Sequence, residues 1–200
     1  MPRVLKKYLL LNLILMAFPL AAFAQDIPRT ADGTPFLQGF WQAQTQAAYN
    51  LEDHVARHDM PAGLSVVAGG TIPYQPQALA RRQNNFENRA ELDPLNKCFL
   101  PGVPRIMAMP WPFQIFQTDE HVAIAFEWTQ VFRIIYTAGQ EHLYPGFEFW
   151  MGDSRAQWEG DTLVVTVSDL NDRTWLDTAG NFHSAAATIT ERYTLIDKNT

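Results

Sequence analysis

Phe147-Glu-Phe-Trp-Met-Gly-Asp-Ser-Arg-Ala-Gln-Trp-Glu-Gly-Asp-Thr-Leu-Val-Val-Thr-Val167 is the stretch whose reading decides the fold class. Two runs rich in aromatic and β-branched residues flank Glu159-Gly160-Asp161, which carries a turn signal. In the second run Leu163, Val165 and Val167 alternate with Thr162, Thr166 and Ser168. Side chains alternate between the two faces of a strand, so this period of two predicts an antiparallel hairpin with one face in a core. Gly160 supplies the positive φ that a short turn needs.

Working outward, the same alternation recurs. Phe113–Thr118, His121–Trp128, Val131–Thr137 and Ala185–Ile196 read as strands, the second with Val122, Ile124, Phe126 and Trp128 on one face and His121, Ala123, Ala125 and Glu127 on the other. Gly39-Phe40-Trp41 opens the first strand, and a Gly-x-Trp at that place resembles lipocalin-like barrels. Gln77–Glu91, with Ala78, Leu79, Phe86 and Ala90 as an apolar stripe and Asp93-Pro94 as a stop, predicts one helix. Residues 46–75 have no sustained period and read as a long irregular excursion. Pro101, Pro104, Pro110 and Pro112 impose an extended path that closes one end of a core.

The expected fold is therefore mainly β: an antiparallel meander closing into a lipocalin-like barrel, with an immunoglobulin-type sandwich as the second choice. Asp197-Lys-Asn-Thr200 is a turn signal after a strand, so a further strand is expected to follow it. The expected divisions are a leader at 1–24, a mobile lead-in at 25–38 and one barrel-like domain at 39–200.

The leader follows from Arg3, Lys6 and Lys7, the apolar run Tyr8–Phe18 and the small-x-small triplet Ala22-Phe23-Ala24 before Gln25. Together they predict a cleaved bacterial export signal, a periplasmic or secreted product and no membrane span afterwards. Its loss removes three cations and no anion, taking the formal net charge from −6 to −9. An acidic chain without a basic run argues against nucleic acid as a partner. Cys98, the single cysteine, is expected to be a buried apolar residue.

Cys98-Phe-Leu-Pro-Gly-Val-Pro-Arg105, Pro112-Phe-Gln-Ile-Phe-Gln-Thr118, Trp150-Met-Gly-Asp-Ser154, Trp158–Val165, Asn171-Asp-Arg-Thr-Trp-Leu-Asp177 and Gly180-Asn-Phe-His-Ser184 together resemble an exported bacterial protein family. The resemblance covers about residues 36–200. It implies secretion and supplies no established activity, so it transfers no functional residue.

Candidate chemistry comes from the residues alone. Glu127 shares a strand face with small Ala123 and Ala125, so an inward orientation would make it an acid or base. Glu191 lies on the face of Ile189, Tyr193 and Leu195, and burial would require a partner such as Arg133. The segment 171–184 is too long for a hairpin turn and offers Asp172, Arg173, Asp177 and His183, with Trp175 and Phe182 as an apolar lid. His183 is the general acid/base candidate, with Asp153 to orient it. Tyr136 and Tyr193 join Asp172, Trp175 and Glu191 as ligand contacts. No Gly-rich phosphate loop, Gly-x-Ser-x-Gly elbow or His-Glu-x-x-His pattern occurs, and His54, His58, His121, His142 and His183 are scattered, so neither cofactor nor metal is expected.

Three functions remain. The first is a pocket for a small apolar or aromatic molecule. The second is a cofactor-independent lyase, isomerase or hydratase using Glu127 or His183, with Arg133 or Arg173 holding an oxyanion. The third is a structural envelope module that meets a partner through its sheet edge.

Overall fold

The computed structural model describes residues 27–140 and 146–200; the leader, its cleavage point before Gln25 and His142 lie outside these residues. The fold is mainly β. Seven strands form one curled half-barrel sheet in chain order: β1 Gly39–Trp41, β2 Phe113–Gln117, β3 His121–Phe126, β4 Phe132–Tyr136, β5 Asp153–Glu159, β6 Thr162–Ser168 and β7 Ile189–Thr194. Among the described residues β1 and β7 are the two edges.

The hairpin that organises the sequence reading is present. β5 and β6 pair antiparallel from Asp153↔Ser168 to Glu159↔Thr162, and Gly160 turns between them with φ 60°. Its first strand, however, begins only at Asp153. Gly152 has φ 65°, and a Cβ there would stand 2.5 Å from Val167 Cγ1 and 2.8 Å from the Ser168 carbonyl. The backbone is therefore bent out of register at 152, and Phe149 makes only an isolated parallel bridge to Leu170.

The meander expected to be antiparallel throughout needs one correction. β4 and β5 run parallel, over Ile135↔Ser154 and Tyr136↔Arg155. A parallel neighbour requires the chain to travel back before re-entering the sheet, which takes about a dozen residues or more. Sixteen residues separate Tyr136 from Asp153, enough for that return.

One face of the sheet carries the core. Ile115, Val122, Ile124, Phe126, Ile135, Leu163, Val165 and Val167 are buried there, packed with Val103, Ile106 and Met109 from the Pro-rich segment. Each such side chain contributes about 1.5–3 kcal/mol relative to exposure. The opposite face is unusually apolar for a solvated surface: Phe40, Phe116, Phe132 and Ile134 are exposed on it.

The single predicted helix is broken. α1 Pro76–Glu87 begins on a proline, whose fixed φ suits a first helical position, and Asn88 at φ −108° separates it from α2 Arg89–Leu92. The apolar stripe is not the buried side, since Leu79 is exposed and Asn85 is the buried residue, donating to the Gly180 carbonyl at 3.1 Å. A third short helix, α3 Arg105–Ala108, lies within the Pro-rich segment.

Two further expectations change. Cys98 is exposed, at φ 60° after a 3-10 turn over Pro94–Lys97. The lead-in is tied down from residue 28 onward: Arg29 forks onto Asp161 at 2.8 Å, and Leu37 donates its N–H to Gln117 Oε1 at 2.7 Å. No helix among the described residues is long and apolar enough to cross a membrane.

Candidate functional site

The Pro-rich segment, α2 and the turn after β3 border an open cavity of about 540 Å³ at one end of the sheet. Pro110 and Pro112 hold Trp111 against Trp128, and the two indoles stack with centroids 4.4 Å apart and planes 24° from parallel. Met109, Pro110 and Leu95 extend this apolar wall. Facing it is a buried ion pair. Asp93, the predicted helix stop, accepts the Leu95 N–H at 3.0 Å and is forked by Arg105 at 2.8 and 2.7 Å, while Arg105 Nη2 also donates to Thr178 Oγ1 at 3.0 Å. At the rim Arg89 forks onto Asp59 at 2.9 and 3.0 Å and draws that carboxyl below its usual range. Among the described residues three buried side-chain nitrogens have no hydrogen-bond partner, Arg105 Nε and Trp128 Nε1 in residues of this wall and His54 Nε2 elsewhere.

A second polar cluster lies inside the curled sheet. Arg133 on β4 gives Nε and Nη2 to Ser154 Oγ at 3.1 Å, Nη1 to Glu191 Oε1 at 3.1 Å and to Tyr193 at 3.3 Å, and Nη2 to Glu191 Oε2. Tyr193 donates its hydroxyl to Glu191 Oε1 at 3.0 Å. Burial, then the neighbouring Glu191 charge, pushes the Tyr193 phenol above its ordinary range. Burial opposes the charge on Arg133, but the hydrogen bonds and charge of Glu191 outweigh it and hold the guanidinium above its usual value. The Arg133–Glu191 pairing expected from sequence is thus formed, with Tyr193 and Ser154 completing it.

The segment 171–184 is a buried hydrogen-bonded knot rather than an open rim. Asp177 accepts the Leu51 N–H at 2.8 Å, the Asn181 N–H at 3.1 Å and the Asn181 amide at 2.6 Å. Asn181 in turn meets Asn50, Tyr74 and Arg82 at 3.1–3.2 Å. Burial is the largest influence on Asp177 and lifts its carboxyl above the usual range despite those donors. The knot fastens the irregular excursion and α1 to the sheet.

The remaining sequence candidates are dispersed. His183 is half-buried; its Nε2 meets Thr174 Oγ1 at 2.9 Å and its Nδ1 the Ser184 carbonyl at 3.0 Å. A carbonyl only accepts, so Nδ1 carries a hydrogen. Asp153, expected to orient this histidine, instead takes the Arg155 fork at 2.9 and 3.2 Å. Asp172 and Arg173 are exposed, the latter 6.0 Å from the Trp150 ring. Trp175 is buried rather than a lid, and Phe182 stacks on Tyr74 at 5.6 Å. Tyr136 lies on the outer side of the sheet beneath Arg155, 4.5 Å from its ring. Glu127 is exposed at the end of β3, in helical backbone, because β3 stops at Phe126 and Val122, Ile124 and Phe126 take the inner face. The inner-face carboxylate is Glu191 instead.

The end cavity uses residues to which the sequence assigned no ligand or catalytic role: Tyr49, Asp93, Arg105, Trp111 and Trp128, the last in a turn after β3 rather than on the strand itself. One signal was available. Arg105 follows four apolar or turn-forming residues in a segment read as covering a core, so it was bound to be buried and to need an acid. Compared with protein-family models, curated proteins and solved structures, the chain matches none.

Proposed function

We propose that the chain is an exported binding protein for a small, largely aromatic molecule, and that its ligand site is the end cavity. The observation that carries this reading is the Trp111–Trp128 stack in the wall of a cavity of about 540 Å³, a size and lining suited to a compact ligand. Trp111 is partly exposed and offers an aromatic face on which a planar ring gains offset-stacking energy.

In this reading the curled sheet is the frame of a lipocalin-like barrel. Supporting that finer view, Leu37, Trp41, Phe113 and Ile115 on one side and Tyr193 and Leu195 on the other line a single apolar slot of about 230 Å³. Export and membership of the exported family rest on the leader at 1–24 and on the motifs from Cys98 to Ser184. The alternative of proton-transfer catalysis is less well supported. Glu127 is exposed, His183 is engaged by Thr174 and Ser184, and the donors of Arg133 are occupied.

Calorimetric titration with naphthalene and 1-acetylnaphthalene tests the reading. Both are expected to saturate at one site, and Trp111→Ala is expected to weaken them roughly tenfold by removing the stacking face. Saturable binding that survives Trp111→Ala unchanged would place the site elsewhere.

A further inference from the structure

We infer that the end cavity selects a neutral planar molecule bearing a hydrogen-bond acceptor, a carbonyl above all, and discriminates against organic anions. The inference rests on the reading of this cavity as the ligand site and adds the polar chemistry of the ligand.

The first argument is a surplus of donors. Arg105 is almost fully buried, yet its Nε–H has no acceptor, and Trp128 Nε1–H is buried in the same condition. Both residues line the cavity. A buried N–H without an acceptor is unfavourable, so a ligand that brings one gains more than a hydrogen bond formed in competition with water. Both N–H groups are closed to water as the side chains stand. Either N–H must therefore shift toward the cavity before a ligand meets it, and Trp128, which is in no ion pair, is the freer of the two. The phenol of Tyr49, also on the wall, adds a group able to donate to the same acceptor.

The second argument is charge. A free arginine would favour a carboxylate, but neither arginine of this cavity is free. Arg105 is forked by Asp93 and Arg89 by Asp59, so each cation already has its anion. A carboxylate entering here would lose its hydration and meet two resident carboxylates with no uncompensated positive charge. A carbonyl satisfies the same N–H groups without that desolvation cost.

The experiment uses the whole chain and three probes on one ring system: naphthalene, 1-acetylnaphthalene and 1-naphthoate, titrated calorimetrically at neutral pH. The ketone is expected to bind roughly tenfold more tightly than the hydrocarbon, with naphthoate no tighter than the hydrocarbon. Trp128→Phe keeps a ring under Trp111 and removes one N–H. It is expected to cut the ketone-to-hydrocarbon affinity ratio about threefold or more, whatever the change in stacking does to naphthalene itself. Equal binding of ketone and hydrocarbon, tighter binding of naphthoate, or a ratio unchanged in Trp128→Phe each overturns the inference while leaving an aromatic site in place. Failure of all three probes to bind is a different result, which removes the ligand-site reading and this inference together. Should Trp128→Phe not fold, the comparison of the three probes on the unsubstituted chain still decides the matter.

Discussion

Arg133 and Arg105 are both almost completely buried and both fork onto a carboxylate, but they are finished differently. Arg133 sits inside the curled sheet with Ser154, Glu191 and Tyr193 meeting every guanidinium nitrogen. Arg105 sits beside a cavity, forked by Asp93 and touching Thr178, with Nε left over. A buried charge that is fully partnered has no affinity to spare for a ligand. One that keeps an unmet donor in the wall of a cavity is able to offer it once a side chain there shifts. The difference separates an interior that fixes the fold from an end that is able to recognise something.

The largest effect that would test this contrast lies on the satisfied side. Arg133→Ala leaves Glu191 buried beside a void, and removing one member of a buried pair costs about 3–5 kcal/mol. Replacing both, Arg133→Met with Glu191→Leu, removes two desolvated charges at once and is expected to restore most of that loss. Urea denaturation of both variants is the measurement. A single variant within about 1 kcal/mol of the parent would mean that the network is not a buried charge pair in solution. Ligand affinity at the end cavity should be the same in the double variant as in the parent.

Asp177 comes next, because it too is a fully partnered buried group and stands in the knot that reaches Arg105 through Thr178. Asp177→Asn turns one acceptor oxygen into a donor facing donors, at a cost of about 1–3 kcal/mol. The pH dependence has a definite sign. Burial raises the folded carboxyl above its unfolded value, so the folded state holds the proton more tightly. Stability from this group is therefore full below an unfolded pKa of about 3.9 and declines as pH rises through the raised folded value. Asparagine does not titrate, so the deficit of the variant should shrink from pH 3.5 upward. Melting temperatures measured across that range decide it, and a deficit that widens with pH would contradict the assignment.

How far these features were legible in the sequence depends on what period-two alternation contains. It locates strands and sorts residues into two faces, and the β5–β6 hairpin, the seven-strand sheet and the Arg133–Glu191 pair all follow from it. It does not say which face turns inward. On β4 the buried face carries Arg133 and Ile135, while Phe132 and Ile134 are exposed, so hydrophobicity alone points the wrong way there. The same ambiguity left both an inward and a water-facing Glu127 open, and the structure has it exposed. The parallel β4–β5 pairing was illegible because strand direction depends on where a connection travels, and 137–152 reads merely as a long link. The end cavity escaped because its parts, from Tyr49 to Thr178, are far apart in sequence and converge only when the Pro-rich segment folds over the sheet. In the 171–184 segment the residue types that suggest chemistry are the types that tie loops together, and Asp177 and Asn181 do the latter.

His183 gives the smallest and most discriminating test, since it was the residue on which a catalytic reading most depended. It does not line the end cavity, and both ring nitrogens are engaged, by Thr174 and by the Ser184 carbonyl. If it belongs with Arg133 among the satisfied groups, His183→Ala loses two hydrogen bonds at a half-buried position. Ser184 is exposed, so water is able to meet the freed carbonyl, and the space left by the ring opens toward the buried Thr174 hydroxyl, which keeps the net cost near 0.5–1.5 kcal/mol. Affinity for 1-acetylnaphthalene should then stay within about twofold of the parent, because nothing the ligand touches has changed. A tenfold loss of affinity with stability intact would move the recognition site from the Trp111–Trp128 wall to the 171–184 segment. The contrast between the two buried arginines would then no longer locate the ligand.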